Sequence, residues 1–291
     1  MANTLATSQK YLDLILELFK KGSVTARLDS ESMQYDNADA KIVKVLKVQT
    51  TGMGDYSKNT GYPVGSITTA WTPFELTVDR GAKFLLDRID DDEVLGLTIG
   101  KAAQVFTDYH MIPELDAYRL NRYYSGAGKK QTETLTASNV MAAIDAAASY
   151  LNEKDVPENG RILYVNQNLE SIIRAALPRQ WSSDAVVNTR ITGYNGMEIV
   201  YVPSKRMQTI IELKSGANDE WGFEADAASK AINFILLEPK SIVQASKTAK
   251  GKFISADTNP NLDSNEFHFR VFHDAFVIEE LKDGVYASVA A

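Results

Sequence analysis

The sequence predicts an α+β fold in which a mixed helix-and-strand unit is inserted between mostly β ends. Three observations predict it. Apolar residues recur at steps of three and four over Leu95, Ile99, Ala102, Phe106, Tyr109 and Ile112, and again over Val140, Ile144, Ala147 and Leu151, as on one face of a helix. They alternate with period two at 74–79 and at 267–272, as half-buried strands require. Between these stretches, roughly 133–238, helix and strand patterns alternate. At 291 residues the chain holds one large domain or two ordinary ones.

Residues 9–21 read as an amphipathic helix ended by Gly22. Asp13, Glu17, Lys20 and Lys21 form a narrow polar stripe, while Leu12, Ile15, Leu16 and Phe19 form one apolar side flanked by Tyr11, Leu14 and Leu18. That is more apolar surface than a surface-lying helix needs, so it docks either on the chain's own core or on a neighbouring subunit. Residues 41–48 and 74–79 read as two strands. Between them, Thr50 to Trp71 is rich in Gly and poor in large aliphatic residues, a long stretch that is either a surface loop or an arm ordered by lying on something else.

Asp90, Asp91, Asp92 and Glu93 precede the next helix, where acidic residues complement the positive end of the helix dipole. Pro113 is expected to kink that helix, giving one long bent helix or two helices in line that end at Gly126. An Ala-rich helix follows, with Thr136 or Ser138 as its N-cap. Then come a strand at 161–165, a helix at 169–177 stopped by Pro178, and strands at 197–202 and 233–237. The tail from 242 to 289 is mostly strand.

Composition narrows the function. Lys and Arg total 31 against 38 Asp and Glu, a net charge of -7, which argues against a chain whose main work is coating nucleic acid. With Cys 0 there is no disulfide framework, thiolate zinc site or Cys nucleophile, and the absence of Asn-x-Ser/Thr sequons fits folding in a reducing compartment. No stretch approaches the roughly 20 apolar residues that span a bilayer.

Catalytic constellations are missing as well. His268 and His273 lie five apart on an expected strand, on opposite faces, and cannot share an ion without a bulge. Gly126-Ala127-Gly128-Lys129-Lys130 fails as a phosphate loop, because Tyr123 stands where the first Gly is needed and Lys130 where Ser or Thr is needed. The acidic run at 90–93 lacks Ca²⁺-loop spacing. Lys240, Lys247, Lys250 and Lys252 read as a solvated strand face or a contact for nucleic acid or an acidic partner. No enzyme, cofactor or metal site is expected.

Several phrases in order resemble the major capsid proteins of tailed bacteriophages with the Hong Kong 97 shell fold. They are Phe74 to Glu93, Pro113 to Tyr118, Leu135 to Leu151, Gly160 to Val165, Gly193 to Arg206 and Asn265 to Tyr286. The resemblance implies an N-terminal arm over 1–40, an extended E-loop hairpin over 41–80, a peripheral domain with a long spine helix over 81–132 and 239–291, and an axial domain over 133–238. It implies contacts between subunits through Leu12, Leu16, Phe19, Tyr56, Tyr62, Trp71 and Phe74. The implied function is an icosahedral shell around phage double-stranded DNA, assembled from pentamers and hexamers in the host bacterial cytoplasm and ending in the virion. Expected partners are a separate scaffolding protein, since the chain starts almost at the arm, then a portal, a decoration protein where one exists, and packaged DNA on the inner face. Some relatives join an E-loop Lys to a neighbour's Asn; Lys58 and Asn59 lie in the right loop, but no matching partner or catalytic acid is identifiable. An encapsulin-type cellular shell would carry the same features, and a carboxylate-dependent hydrolase is the alternative from another class.

Overall fold

The computed structural model describes residues 22–29, 34–35, 42–87, 98–176, 191–256, 259 and 263–291. The helix expected at 9–21, the acidic run at 90–93 and Pro178 lie outside the described residues. A short 3-10 turn at Ala26–Leu28 precedes strand β1 (Gln34–Tyr35), which pairs with the first strand of a long antiparallel hairpin, β2 (Ile42–Thr50) and β3 (Ile67–Glu75). The return strand begins earlier than expected, at Ile67 rather than near Phe74. Thr68, Thr69 and Thr72 are β-branched and favour extended pairing over an irregular loop. Val78 and Asp79, expected at the end of that strand, instead open β4 (Val78–Asp87).

The long helix is unbroken. Segment α1 (Thr98–Phe106) passes through a π-helical turn at Thr107–Met111 into α2 (Ile112–Ser125). The Ile112 N–H donates to the Thr107 carbonyl, five residues back, and Pro113 then sits at the start of α2, where its missing N–H costs little. The π turn immediately precedes Pro113, where the sequence predicts a kink. It also rotates the stripe: Ile112 is buried but Tyr109, expected beside it, is 73% exposed.

Strand β5 (Lys129–Thr132) leads to α3 (Val140–Glu153). Asn139 holds the cap position expected of Thr136 or Ser138, and its side-chain oxygen accepts the Thr136 N–H at 2.7 Å. Next come β6 (Ile162–Asn166), α4 (Glu170–Ala176), β7 (Gly193–Tyr194), β8 (Met197–Val202), β9 (Ile211–Leu213), β10 (Phe223–Ala225) and β11 (Ile232–Leu237). The chain closes with β12 (Ile242–Ile254), β13 (Ser264–Val277) and β14 (Val285–Val289).

Two sheets form the body. The six-stranded sheet runs β5-β14-β11-β6-β8-β7, and every residue of β6, β11 and β14 is buried. One face, with Leu163, Val165, Phe234 and Leu236, packs on Ile144, Ala147 and Leu151 of α3 and Ile173 of α4. The other, with Ile162, Tyr164, Ile235 and Leu237, packs on Leu120 and Tyr123 of α2. In the three-stranded sheet β12-β13-β4, Phe267, Phe269 and Val271 pack on Met111, Ile112 and Leu115. The long helix therefore joins both sheets. The six-stranded sheet crosses the divisions drawn at 132/133 and 238/239, because β14 lies between β11 and β5, with Val285 and Ala287 in one core and Tyr286 in the other.

Candidate functional site

Among the described residues, the hairpin carries exposed apolar surface. In its register, Leu46 faces Trp71, Val48 faces Thr69 and Thr50 faces Ile67. Directly paired residues share a face, so Leu46, Val48, Ile67 and Trp71 form one apolar stripe. Their exposures are 48%, 55%, 74% and 49%. Fully burying such side chains is worth about 1.5–3 kcal/mol each, so a stripe of this kind is a standing drive for association. At the tip the Tyr56 and Tyr62 rings lie 5.0 Å apart, above a bridge in which Gly61 N–H donates to Ser57 at 2.7 Å. Gly61 has φ +78, a left-handed conformation that suits glycine.

The hairpin's root is fixed. Asp274, fully buried, accepts the Thr77 N–H at 3.1 Å, the Thr77 hydroxyl at 2.6 Å and the Tyr118 hydroxyl at 3.0 Å, with Arg122 at 3.3 Å. Burial, then the Asp274 charge, pushes the Tyr118 phenol up to about 12. Phe74 packs on Phe276 at 5.0 Å, beside buried Val43 and Leu76, and Lys47 pairs with Glu280.

A second polar node holds residues 23–29 to the body. Asp116, fully buried on α2, accepts from Ser23 Oγ at 2.6 Å, Thr25 Oγ1 at 2.6 Å, the Val24 and Thr25 N–H groups at 3.2 Å each, and Arg206 at 3.1 Å. Arg119, also buried, donates to Asp29 at 2.9 Å, and Gln244 donates to the Thr25 carbonyl at 2.7 Å. Burial raises the Asp29 carboxyl even with Arg119 beside it. These carboxylates are occupied in holding the chain together, and among the described residues no three His, Asp or Glu side chains gather as a metal ion requires.

Of the residues expected at subunit contacts, Tyr56, Tyr62 and Trp71 stand together on the exposed arm, whereas Phe74 lies at its root against Phe276. Leu12, Leu16 and Phe19 lie outside the described residues. Sequence reasoning missed Leu46, Val48 and Ile67. The signal was present in β2, where Val43 and Val45 alternate with Leu46 and Val48, leaving both faces apolar in a strand next to a Gly-rich loop.

No protein-family model and no curated protein matches the chain. Solved structures do. The chain is similar to the structure of Mycobacterium phage Che8, with TM-score 0.60 and 16% identity over 91% of this chain and 90% of that one. It is similar to the mature capsid of bacteriophage PhiM1, with TM-score 0.57 and 13% identity over 87% and 82%. This is the Hong Kong 97-type phage capsid fold. A virus-like particle from Pyrococcus furiosus matches at TM-score 0.52 and 10% identity over 96% and 98%.

Proposed function

We propose that this chain is the major capsid protein of a tailed phage, a subunit that assembles with copies of itself into the icosahedral shell around double-stranded DNA. The observation that carries this reading is the exposed stripe of Leu46, Val48, Ile67 and Trp71 on a rooted hairpin, within a fold matched over nine-tenths of the chain. Its role is structural: burial of the stripe on a neighbour supplies stability that the isolated subunit lacks. In this reading 1–40 is the N-terminal arm and 41–80 the E-loop. Residues 81–132 and 239–291 form the peripheral domain and 133–238 the axial domain, with β5 and β14 completing the axial sheet. Pentamers and hexamers close through heterologous contacts. A separate scaffolding protein, a portal, packaged DNA on the inner face and, where one exists, a decoration protein complete the partners. Assembly belongs to the host cytoplasm and the product to the virion.

Electron microscopy of the expressed chain, alone and with the neighbouring genes of its source, tests this. Capsomers or closed shells are expected. A monodisperse monomer at all concentrations and in both preparations would overturn it.

A further inference from the structure

The sequence holds two Asn-Gly pairs, Asn159-Gly160 and Asn195-Gly196, and the fold treats them differently. Both pairs are exposed. Asn195 and Gly196, at φ +47 and +77, are the central residues of the tight turn between β7 and β8, closed by the Tyr194–Met197 pair. Two left-handed residues are what a two-residue hairpin turn demands, so leaving that geometry means opening the turn.

Asn159-Gly160 lies between the end of α3 and β6. Buried Arg161 anchors the start of this loop, donating through Nε to the Pro157 carbonyl at 2.8 Å and through Nη2 to the Val156 carbonyl at 2.6 Å. Glu158, Asn159 and Gly160 are left outside that anchor. None of the three hydrogen-bonds to another described residue, and beyond its chain neighbours no atom lies within 4 Å of where a Cβ would stand on Gly160.

We infer that Asn159 is a site of spontaneous covalent modification, converting in the folded chain to aspartate and isoaspartate. The chemistry needs only water. The Gly160 backbone nitrogen gives up its proton to hydroxide and attacks Asn159 Cγ; the N–Cγ bond forms, the side-chain amide nitrogen leaves as ammonia, and a succinimide ring remains. Water then adds to one of the two ring carbonyls. Opening on one side gives aspartate, and opening on the other gives isoaspartate, in which the main chain runs through the side-chain carbon. A residue without Cβ at 160 leaves the nitrogen open to this attack. A segment without hydrogen bonds reaches the ring geometry at little cost, whereas the β7–β8 turn must first open.

The surroundings give the change a consequence. Arg161 is buried and bonded to the carbonyls of Ala148, Val156 and Pro157, with no carboxylate in ion-pair contact among the described residues. Either product places a new negative charge two residues from that guanidinium. Isoaspartate also lengthens the backbone just before β6, which lies between β11 and β8 in the six-stranded sheet. The inference goes beyond the shell reading and does not depend on it.

Trypsin releases Asp155–Arg161 and Ile191–Lys205, so one digest reads both sites by mass. On storage of the purified chain, the first peptide should gain one mass unit and split into two chromatographic forms, one of them labelled by an isoaspartyl methyltransferase. Conversion should be faster in alkaline than in neutral buffer. With each site's rate divided by its own rate in urea, Asn159 should convert about tenfold faster than Asn195. Asn159→Gln, whose longer side chain cannot close the same ring, should remove the gain at the first peptide and leave the second unchanged. Equal normalised rates at the two sites, faster conversion at Asn195, or no change at Asn159 in a folded chain that converts in urea would each overturn the inference.

Discussion

The Thr25 hydroxyl donates to the Asp116 carboxylate at 2.6 Å, joining the start of the described chain to the middle of the long helix. One buried carboxylate fixes three consecutive residues, Ser23, Val24 and Thr25. Removing it leaves Arg206 without that ion pair and the Ser23 and Thr25 hydroxyls without their acceptor. Breaking a buried pair on one side costs roughly 3–5 kcal/mol. Asp116→Ala is expected to lose about that much in urea unfolding of the unassembled subunit, and limited proteolysis should cut near residue 22 long before global unfolding. Asp116→Asn keeps an acceptor oxygen and should lose less.

Trp71 and Phe74 should separate assembly from folding. Phe74 is half-buried against Phe276 and Val43, so Phe74→Ala should destabilise the isolated subunit by about 1–3 kcal/mol, a fraction of the cost at a fully buried ring. Trp71→Ser removes a ring that the chain leaves half in water and should change subunit stability by under ~1 kcal/mol. Particle yield should nevertheless fall further for Trp71→Ser. A melting curve and a sedimentation profile for each variant check the contrast, and equal losses on both measures would contradict it.

The elements were legible where local pattern and burial agree. Val140, Ile144, Ala147 and Leu151 recur at helical steps and form one side of the core, and Phe267, Phe269 and Val271 alternate toward the helix as a half-buried strand should. Two features were not legible because they depend on partners far away in sequence. The π turn at Thr107–Met111 shifts Tyr109 to solvent, and nothing local distinguishes it from an α-helix with a proline kink. The return strand at Ile67 gains its order from β2, while its Gly-rich approach reads as loop. On the candidate surface, Tyr56, Tyr62 and Trp71 could be chosen as large apolar residues in a polar stretch. Leu46 and Val48 looked like ordinary strand interior until the register placed them opposite Trp71 and Thr69.

Gly126-Ala127-Gly128 punctuates the chain for a packing reason. A Cβ on Gly128 would lie 2.6 Å from the Lys282 carbonyl oxygen and 2.8 Å from its carbon, and backbone there cannot give way, because Gly128 N–H donates to that oxygen at 3.0 Å. Gly128→Ala is expected to cost about 1–3 kcal/mol, the usual range for overpacking. Gly52→Ala, with nothing within 4 Å of the added carbon, should be neutral or slightly stabilising. Paired thermal melts decide it.

His273 makes the subunit sensitive to acid. Its ring is fully buried edge-on to Tyr118, 5.3 Å between centroids, and neither nitrogen has a hydrogen-bond partner. Burial, reinforced by the Arg119 and Arg80 charges and opposed by Asp274, lowers its pKa from 6.5 to about 3. In the folded chain the ring therefore stays neutral across that window, while the unfolded chain takes up a proton below 6.5. Stability is full above pH 6.5, falls as pH drops toward 3 and levels off below it. Glu266, held down to about 2 by Lys83 and His268, adds a loss only below its ordinary value of 4.5. Between pH 7 and 5 the histidine limb thus stands apart from the Glu266 limb, and at up to ~1.4 kcal/mol per pH unit it should amount to about 2 kcal/mol. His273→Phe keeps the edge-on contact and removes the titration. Urea unfolding at pH 7 and pH 5 should show that loss in the parent and less than half of it in His273→Phe, whereas equal losses would place the acid sensitivity elsewhere.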